Sequence, residues 1–268
     1  MKQRNYDQIE EAFHDKWASE IDVSTVDVFK YFTAPTAIEG QYILSKMGNL
    51  KGKKILDLGC GFGEASVYFA LKGAKVTSLD LSEKMIECVK SLSKKYNVVS
   101  SINTLKSKAE KIPLKNDSFD IIFGGNVLHH TDVKAVSREI KRVLKPKGKA
   151  FFIEPLAYNP MINIYRIMAR EVRTKTEKPF SLKKIDEMCV NFKQFSHCEF
   201  QLFTVFIFVW FFLVERLNPG KVRYWKKYIE EGEKYSRPFR ILNYFDNIIL
   251  KIPFFRRFCW NTVIELIK

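Results

Sequence analysis

The chain has 268 residues, is 46% hydrophobic and carries 45 Lys and Arg against 30 Asp and Glu, a formal charge of +15. That length suits one α/β core with an appended cap and is cramped for two independent domains. Five scattered cysteines, odd in number and never spaced C-x-x-C, indicate neither a disulfide scaffold nor a zinc site, and no metal is expected. The charge suits polyanions such as nucleic acid or anionic lipid head groups without choosing between them. Lysines such as Lys90, Lys94 and Lys95 fall between apolar helical positions, where a solvated face accounts for them.

Met1 to Asn5 leads into polar sequence without an apolar signal core, so a cytosolic protein with reduced cysteines is expected. Asp7 to Ala18 reads as an amphipathic helix, and Ala37 to Met47 repeats apolar residues at helical spacing. Ile55 to Glu64 is then an apolar strand that runs through Asp57 into Gly59, Gly61 and Gly63. In an open parallel sheet ligands sit beyond the carboxyl ends of the strands, and a glycine turn lets the backbone approach one closely. Glu64 stands where a dinucleotide fold would place its third glycine. It would repel a pyrophosphate on the following helix and accept a cationic nucleoside. The next strand, Ala74 to Asp80, ends in an acid at the separation from which a carboxylate accepts both ribose hydroxyls, each bond worth roughly 1.5–3 kcal/mol.

Ala109 to Leu114 forms a loop ahead of a strand ending at Phe123. Val127 to Thr131 follows, then a helix closed by Lys145 to Gly148, then the strand Lys149 to Pro155. Strands and helices thus alternate from Lys53 to Glu154, which implies parallel strands joined by right-handed crossovers. Beyond Pro155, Asn159-Pro160 starts a helix through about Arg173, Ser181 caps another to about Phe192, and His197 to Thr204 and Trp260 to Ile267 read as strands. Phe200 to Val214 has thirteen apolar residues in fifteen, seven of them aromatic, too short a run to span a bilayer as a helix. Ile241, Leu242, Tyr244, Phe245, Ile248, Ile249 and Ile252 recur at helical spacing among Arg237, Arg240, Lys251, Arg256 and Arg257. From Arg216 to Lys268 twelve basic residues face five acids. Basic residues rimming an apolar aromatic face suit an anionic membrane surface, each contributing on the order of 1 kcal/mol; a cap helix packed on the sheet with solvated charges is the alternative.

These motifs, in this order over roughly residues 50 to 155, resemble the class I S-adenosylmethionine-dependent methyltransferases, small-molecule type 11-like. The resemblance implies an α/β fold: a Rossmann-like, mostly parallel sheet with its last strand antiparallel, helices on both faces and a C-terminal cap insertion. Residues 1–50 become an N-terminal helical lid, whose Trp17, Tyr31 and Phe32 close over the cofactor or pack on the sheet. Residues 51–155 become the S-adenosylmethionine-binding core. Residues 156–268 complete the sheet, with strands near 197–204 and 260–267 and insertions that shape the acceptor pocket or face a membrane. Cofactor contacts are implied at Asp57, Gly59, Cys60, Gly61, Gly63, Asp80, Leu81, Met85, Ala109, Glu110, Gly124 and Asn126. Where many relatives carry an acid for the adenine amino group, Lys108 can only donate, so adenine is expected against backbone groups around Ala109 and Glu110.

Methyl transfer from a sulfonium requires an acceptor placed in line and one proton managed. His129 and His130 follow the fourth strand and Glu154 closes the fifth. In sugar O-methyltransferases that this core resembles, a histidine of the corresponding pair and an acid after the fifth strand have such roles, so His130 or His129 is expected as base, oriented by Glu154. Asn159, Tyr165, Arg166 and Arg173 either line the acceptor pocket, an arginine fork meeting a phosphate or carboxylate, or form a solvated helix face. The expected acceptor is a hydroxyl of a small molecule or a lipid-linked compound, met at the inner membrane surface if the insertion contacts lipid. Carbon methylation of quinone or sterol type is the alternative. Gly124-Gly125-Asn126-Val127 lacks the proline-proline-aromatic clamp of nucleic-acid amino methyltransferases, and no Pro-Cys nucleophile is visible, which argues against nucleic acid. Intact Asp57, Gly59, Gly61 and Asp80 argue against a non-catalytic membrane-surface protein.

Overall fold

The structure is a computed structural model that describes residues 2–268, with side chains from Tyr6 onward; of the expected lid, Met1 lies outside the described residues. Helices α1 (Lys2–Glu20), α2 (Lys30–Thr33) and α3 (Ile38–Met47) precede the sheet. Then β1 (Lys54–Leu58), α4 (Glu64–Leu71), β2 (Lys75–Asp80), α5 (Glu83–Lys95), β3 (Ile102–Lys106), β4 (Phe119–Gly125), α6 (Val133–Val143) and β5 (Leu144–Pro155) alternate. The rest comprises α7 (Pro160–Met168), α8 (Leu182–Cys189), β6 (Gln194–Phe200), α9 (Phe206–Leu213), α10 (Tyr224–Glu230), α11 (Ser236–Ile249), α12 (Pro253–Arg256) and β7 (Asn261–Ile267).

The seven strands lie in the order β3-β2-β1-β4-β5-β7-β6. The first five pair in parallel and β7 runs antiparallel to both its neighbours, as the resemblance implied. Side chains alternate across the sheet: Ile55, Phe123 and Phe151 enter one core, Leu56, Ile122 and Phe152 the other. Helices cover both faces by burying one stripe each. In α5, Met85, Ile86, Val89 and Leu92 are buried while Lys90, Lys94 and Lys95 are exposed, and Ser82 caps the helix by accepting from the Met85 amide. In α6, Asp132 accepts from the Lys134 and Ala135 amides and Val133, Val136, Ile140 and Val143 turn inward. Strand order reverses between β1 and β4, and the crevice at that switch point is where the site forms.

Chain ends of three tail elements differ from the sequence reading. The helix capped by Asn159 stops at Met168, with a single 3-10 turn at Arg170–Val172, because Ala169 is buried and closes the last turn. α8 ends at Cys189 rather than near Phe192. β6 runs Gln194–Phe200 rather than to Thr204, since Gln201 takes a left-handed φ of 69° that leaves the sheet and sends its amide 3.0 Å from Glu39 Oε2. The aromatic run after it becomes α9, apolar all round. One side of α9 enters a third core of Tyr165, Phe208, Phe211, Tyr224, Tyr228 and Phe239, in which the Phe208 ring lies edge-on to Trp260 at 4.9 Å and to Tyr165 at 5.2 Å. Such pairs add roughly 0.5–1.5 kcal/mol each beyond area burial.

α11 is pinned to this cap by Asp246, buried on an otherwise basic and apolar helix. Its carboxylate accepts from the amides of Leu202 at 3.0 Å and Phe203 at 2.6 Å and from the Thr204 hydroxyl at 3.2 Å. Removing it strands buried donors at the β6 exit. Asp246→Ala is expected to lower unfolding free energy by about 2–3 kcal/mol, measured by chemical denaturation, whereas a change under 0.5 kcal/mol, the usual scatter of surface substitutions, would deny it this role.

Candidate active site

One cavity of about 340 Å³ opens at the carboxyl ends of β1, β2, β4 and β5, under α1. Its first half is the glycine turn. Gly59, Gly61 and Gly63 have φ of 68°, 52° and 94°, the left-handed region where side chains are strained. A Cβ on Gly59 would also lie 2.4 Å from Val127 Cγ2. Asp80 ties the turn to the next loop, accepting from the Gly61 amide at 3.0 Å and the Ser82 amide at 2.9 Å. These two bonds set the carboxylate rigidly at the mouth of β2 and leave lone pairs directed to a ligand. Asp57 accepts from the Ser66 hydroxyl at 2.6 Å, and that hydroxyl also meets Ser78 Oγ at 2.6 Å.

Burial pushes the Asp57 carboxyl up to about 7 and raises those of Asp80 and Glu64. Among the described residues none of the three forms an ion pair. A wall of buried carboxyls without an ion-pair partner favours a cation and disfavours a phosphate, which fits a sulfonium nucleoside. Cys60, Leu81, Met85, Ala109 and Asn126 border the same space. Gly63 and Gly124 do not: a Cβ on Gly63 would lie 2.9 Å from Val89 of α5, and one on Gly124 would lie 2.7 Å from Phe152, so helix and strand packing demand these glycines. Glu110 borders the cavity and accepts from the Asp132 amide at 3.0 Å. Lys108 is ion-paired to Asp7, so the donor that departs from the family's adenine acid holds α1 down.

The expected trio resolves into separate parts. Glu154 is fully buried behind the cavity, accepting from the amides of Val127 at 3.0 Å, Leu128 at 2.7 Å and His129 at 3.2 Å, and from His129 Nδ1 at 2.7 Å. The other nitrogen of His129 lies 3.3 Å from Glu177 Oε1. Burial opposes charge on His129, but the two carboxylates prevail and raise it to about 9, so it is a fixed cation at neutral pH. Burial and that neighbouring cation lower His130, whose ring centroid is 4.1 Å from that of His129. Glu154 therefore orients His129 and not His130.

His130 Nδ1 faces Glu10 Oε1 at 3.1 Å without hydrogen-bond alignment, and His14 Nε2 lies 3.6 Å from Glu10 Oε2. The ligand atoms of Glu10, His14 and His130 fall within 4.8 Å of one another, spacing that can hold a metal ion. Against the cost of burial, contacts with His130 and His14 keep Glu10 ionised. Sequence reasoning missed this wall, although Asp7, Glu10, His14 and Trp17 recur at helical spacing and all border the cavity. It missed Glu39, Glu177, Arg223, Trp225 and Asn261 as well, which carry no local motif. Trp17 stands edge-on to Phe62 at 4.8 Å, and Tyr31 approaches so closely that a Cβ on Gly125 would meet its hydroxyl at 2.4 Å. Phe32 lies in the core.

A sheet of this order, with a glycine turn and a buried acid at its switch point, has the class I methyltransferase fold. Residues 56–152 match the model of the methyltransferase-domain family. The chain is 36% identical over 141 residues to the demethylmenaquinone methyltransferase of Lactococcus lactis, covering 51% of this chain and 54% of that one. It is 32% identical over 131 residues to the ubiquinone biosynthesis O-methyltransferase of Pseudomonas syringae, covering 48% and 55%. It thus spans about half the length of these relatives. The geranyl diphosphate C-methyltransferase of Streptomyces coelicolor shares the fold, with a TM-score of 0.57 at 12% identity over 86% of this chain and 78% of that one.

Because His129 is raised from 6.5 to about 9 on folding, its contribution is complete below the unfolded value and lost as pH rises through 9. At 4% exposure this is worth about 3 kcal/mol. Unfolding free energy is expected to fall by about that amount between pH 6 and pH 10, and the slope to flatten in His129→Gln; identical slopes would place the cation elsewhere.

Proposed function

We propose that the protein transfers the methyl group of S-adenosylmethionine to a hydroxyl of a small-molecule or lipid-linked acceptor. The observation that carries this reading is the juxtaposition in one cavity of an acidic half suited to a sulfonium nucleoside and a half walled by a neutral histidine. Bound S-adenosylmethionine supplies an activated methyl group. Asp80 holds the ribose hydroxyls with its free lone pairs, and the glycine turn with Asp57 receives the rest of the nucleoside's amino-acid arm. His130, lowered by burial and by the His129 cation, takes the acceptor proton on its neutral imidazole. His129 and Glu154 are positioning residues that fix the loop carrying it. The ubiquinone biosynthesis O-methyltransferase relative supports a hydroxyl acceptor, and the demethylmenaquinone methyltransferase leaves carbon methylation of quinone type as a second reading.

The test is incubation with methyl-labelled S-adenosylmethionine and an extract of the source cells, partitioned between organic solvent and water. Label is expected in the organic phase, absent with Asp80→Ala, and reduced about 100-fold in His130→Ala with cofactor binding kept. No acceptor labelled in either phase overturns the reading, and a fully active His130→Ala removes the base.

A membrane-facing cap is part of the same proposal. Among the described residues no helix is long and apolar enough to cross a membrane. Yet Phe206, Trp210 and Leu213 on α9 and Ile241, Tyr244, Phe245 and Ile248 on α11 are exposed, beside exposed Arg237, Arg240, Arg256 and Arg257. The acid within α11, Asp246, is turned inward. Aromatic stripes ringed by arginine suit an anionic bilayer from which a lipid-linked acceptor is drawn, on the inner surface of the cell membrane. The protein is expected to sediment with phosphatidylglycerol vesicles, not with phosphatidylcholine ones, and to lose this in Arg240→Gln/Arg256→Gln/Arg257→Gln; equal sedimentation with both lipids excludes the electrostatic part.

A further inference from the structure

The acceptor half of the cavity holds positive charge that transfer to a neutral hydroxyl leaves unused. Arg166 of α7 donates to the Leu156 carbonyl at 2.9 Å and to Asn163 Oδ1 at 2.7 Å, while its Nε is buried without a partner. Arg223, at the N-terminal edge of α10, lays its guanidinium 4.1 Å over the Trp17 ring. Neither forms an ion pair with a carboxylate among the described residues. Arg173 differs, being ion-paired to Glu177, which also faces His129. All three border the cavity, as does Thr174, whose hydroxyl is buried without a partner. The charges of Arg173 and Glu177 both reach Arg166, and those of Arg173 and Arg223 both reach the Tyr165 phenol. Burial beside Arg173 pulls Arg166 down to about 10.

A half-buried guanidinium without a counter-ion is costly and its free N–H groups are unmet donors. A planar fork of such donors matches a carboxylate or phosphate. We infer that the methyl acceptor carries an oxyanion, received by Arg166 and Arg223 with the Thr174 hydroxyl as a further donor. The inference rests on the reading of this half of the cavity as the acceptor site. It revises the fork expected from sequence: Arg173 is occupied by Glu177, and its place is taken by Arg223 from an element about fifty residues further on. Anchored there, an acceptor presents its hydroxyl toward the His130 wall while its apolar remainder lies against Ile162 and Trp225.

Calorimetric titration separates this from turnover. The protein is saturated with S-adenosylhomocysteine, so that the cofactor's own carboxylate is accounted for, and titrated with 4-hydroxybenzoate, phenyl phosphate and the neutral 4-hydroxybenzyl alcohol. At least one anion is expected to bind tenfold or more tightly than the alcohol, the better one naming carboxylate or phosphate as the handle. The preference is expected to fall below threefold in Arg223→Gln and in Arg166→Gln, with thermal melting confirming that each variant is folded. If the alcohol binds as tightly as both anions to the unaltered protein, or the preference survives both substitutions, the inference fails. Binding without labelled product in the methyl-transfer assay would instead fault the reaction while leaving the anion site intact.

Discussion

The carboxylate of Glu154 organises this active site more than any other group. Fully buried at the end of β5, it gathers three successive backbone amides and an imidazole. An uncompensated charge there would cost several kcal/mol, so the loop from Val127 to His130 has little choice but to wrap around it. Its grip fixes Val127, which occupies the space above Gly59 and so defines how the glycine turn can run. With Glu177 it also raises His129 to about 9, and burial together with that cation lowers the neighbouring His130. Chemistry at His130 is thus set by a residue that never reaches the cavity.

Charge within the cavity is arranged in a way that the chain's overall excess of basic residues hides. Asp57, Glu64 and Asp80 stand at the glycine turn without an ion pair among the described residues, whereas Glu10 and Glu177, toward α7, stand against His130, His129 and Arg173. Burial makes a charge worth more there than on the surface.

The parallel core was readable because its rules are local: glycines needing positive φ, an acid at a strand end, and caps such as Ser82 and Asp132 next to the stripes they begin. Asp80 was legible as the acid closing β2, although its task of tying two loops by their amides was not. Gly63 and Gly124 sat inside a legible motif for a different reason, the packing of Val89 and Phe152. Glu154 was correctly paired with a histidine, but the neighbouring ring was equally well placed in sequence, and only the turn at Leu128 decides which one it meets. What stayed hidden came from distance in the chain. Gln201 leaves the sheet to reach Glu39, 162 residues away, and Glu10 meets His130 across 120 positions of sequence. No periodicity encodes such encounters.

The helix roofing the cavity is attached largely by polar links: Asp15 to Ser82 and the Lys84 amide at the head of α5, Asp7 to Lys108, Lys106 to Glu11, and Glu10 to His130. Its buried apolar anchors are few, chiefly Ala18 with Trp17 against Phe62 and Met85. Bonds of this kind compete with water and are each worth little, so the roof is held by their number rather than by a shared apolar core. One of these links runs to Ser82, whose amide also holds Asp80. The acid at the mouth of β2 and the roof above it are thus hung on the same two-residue loop.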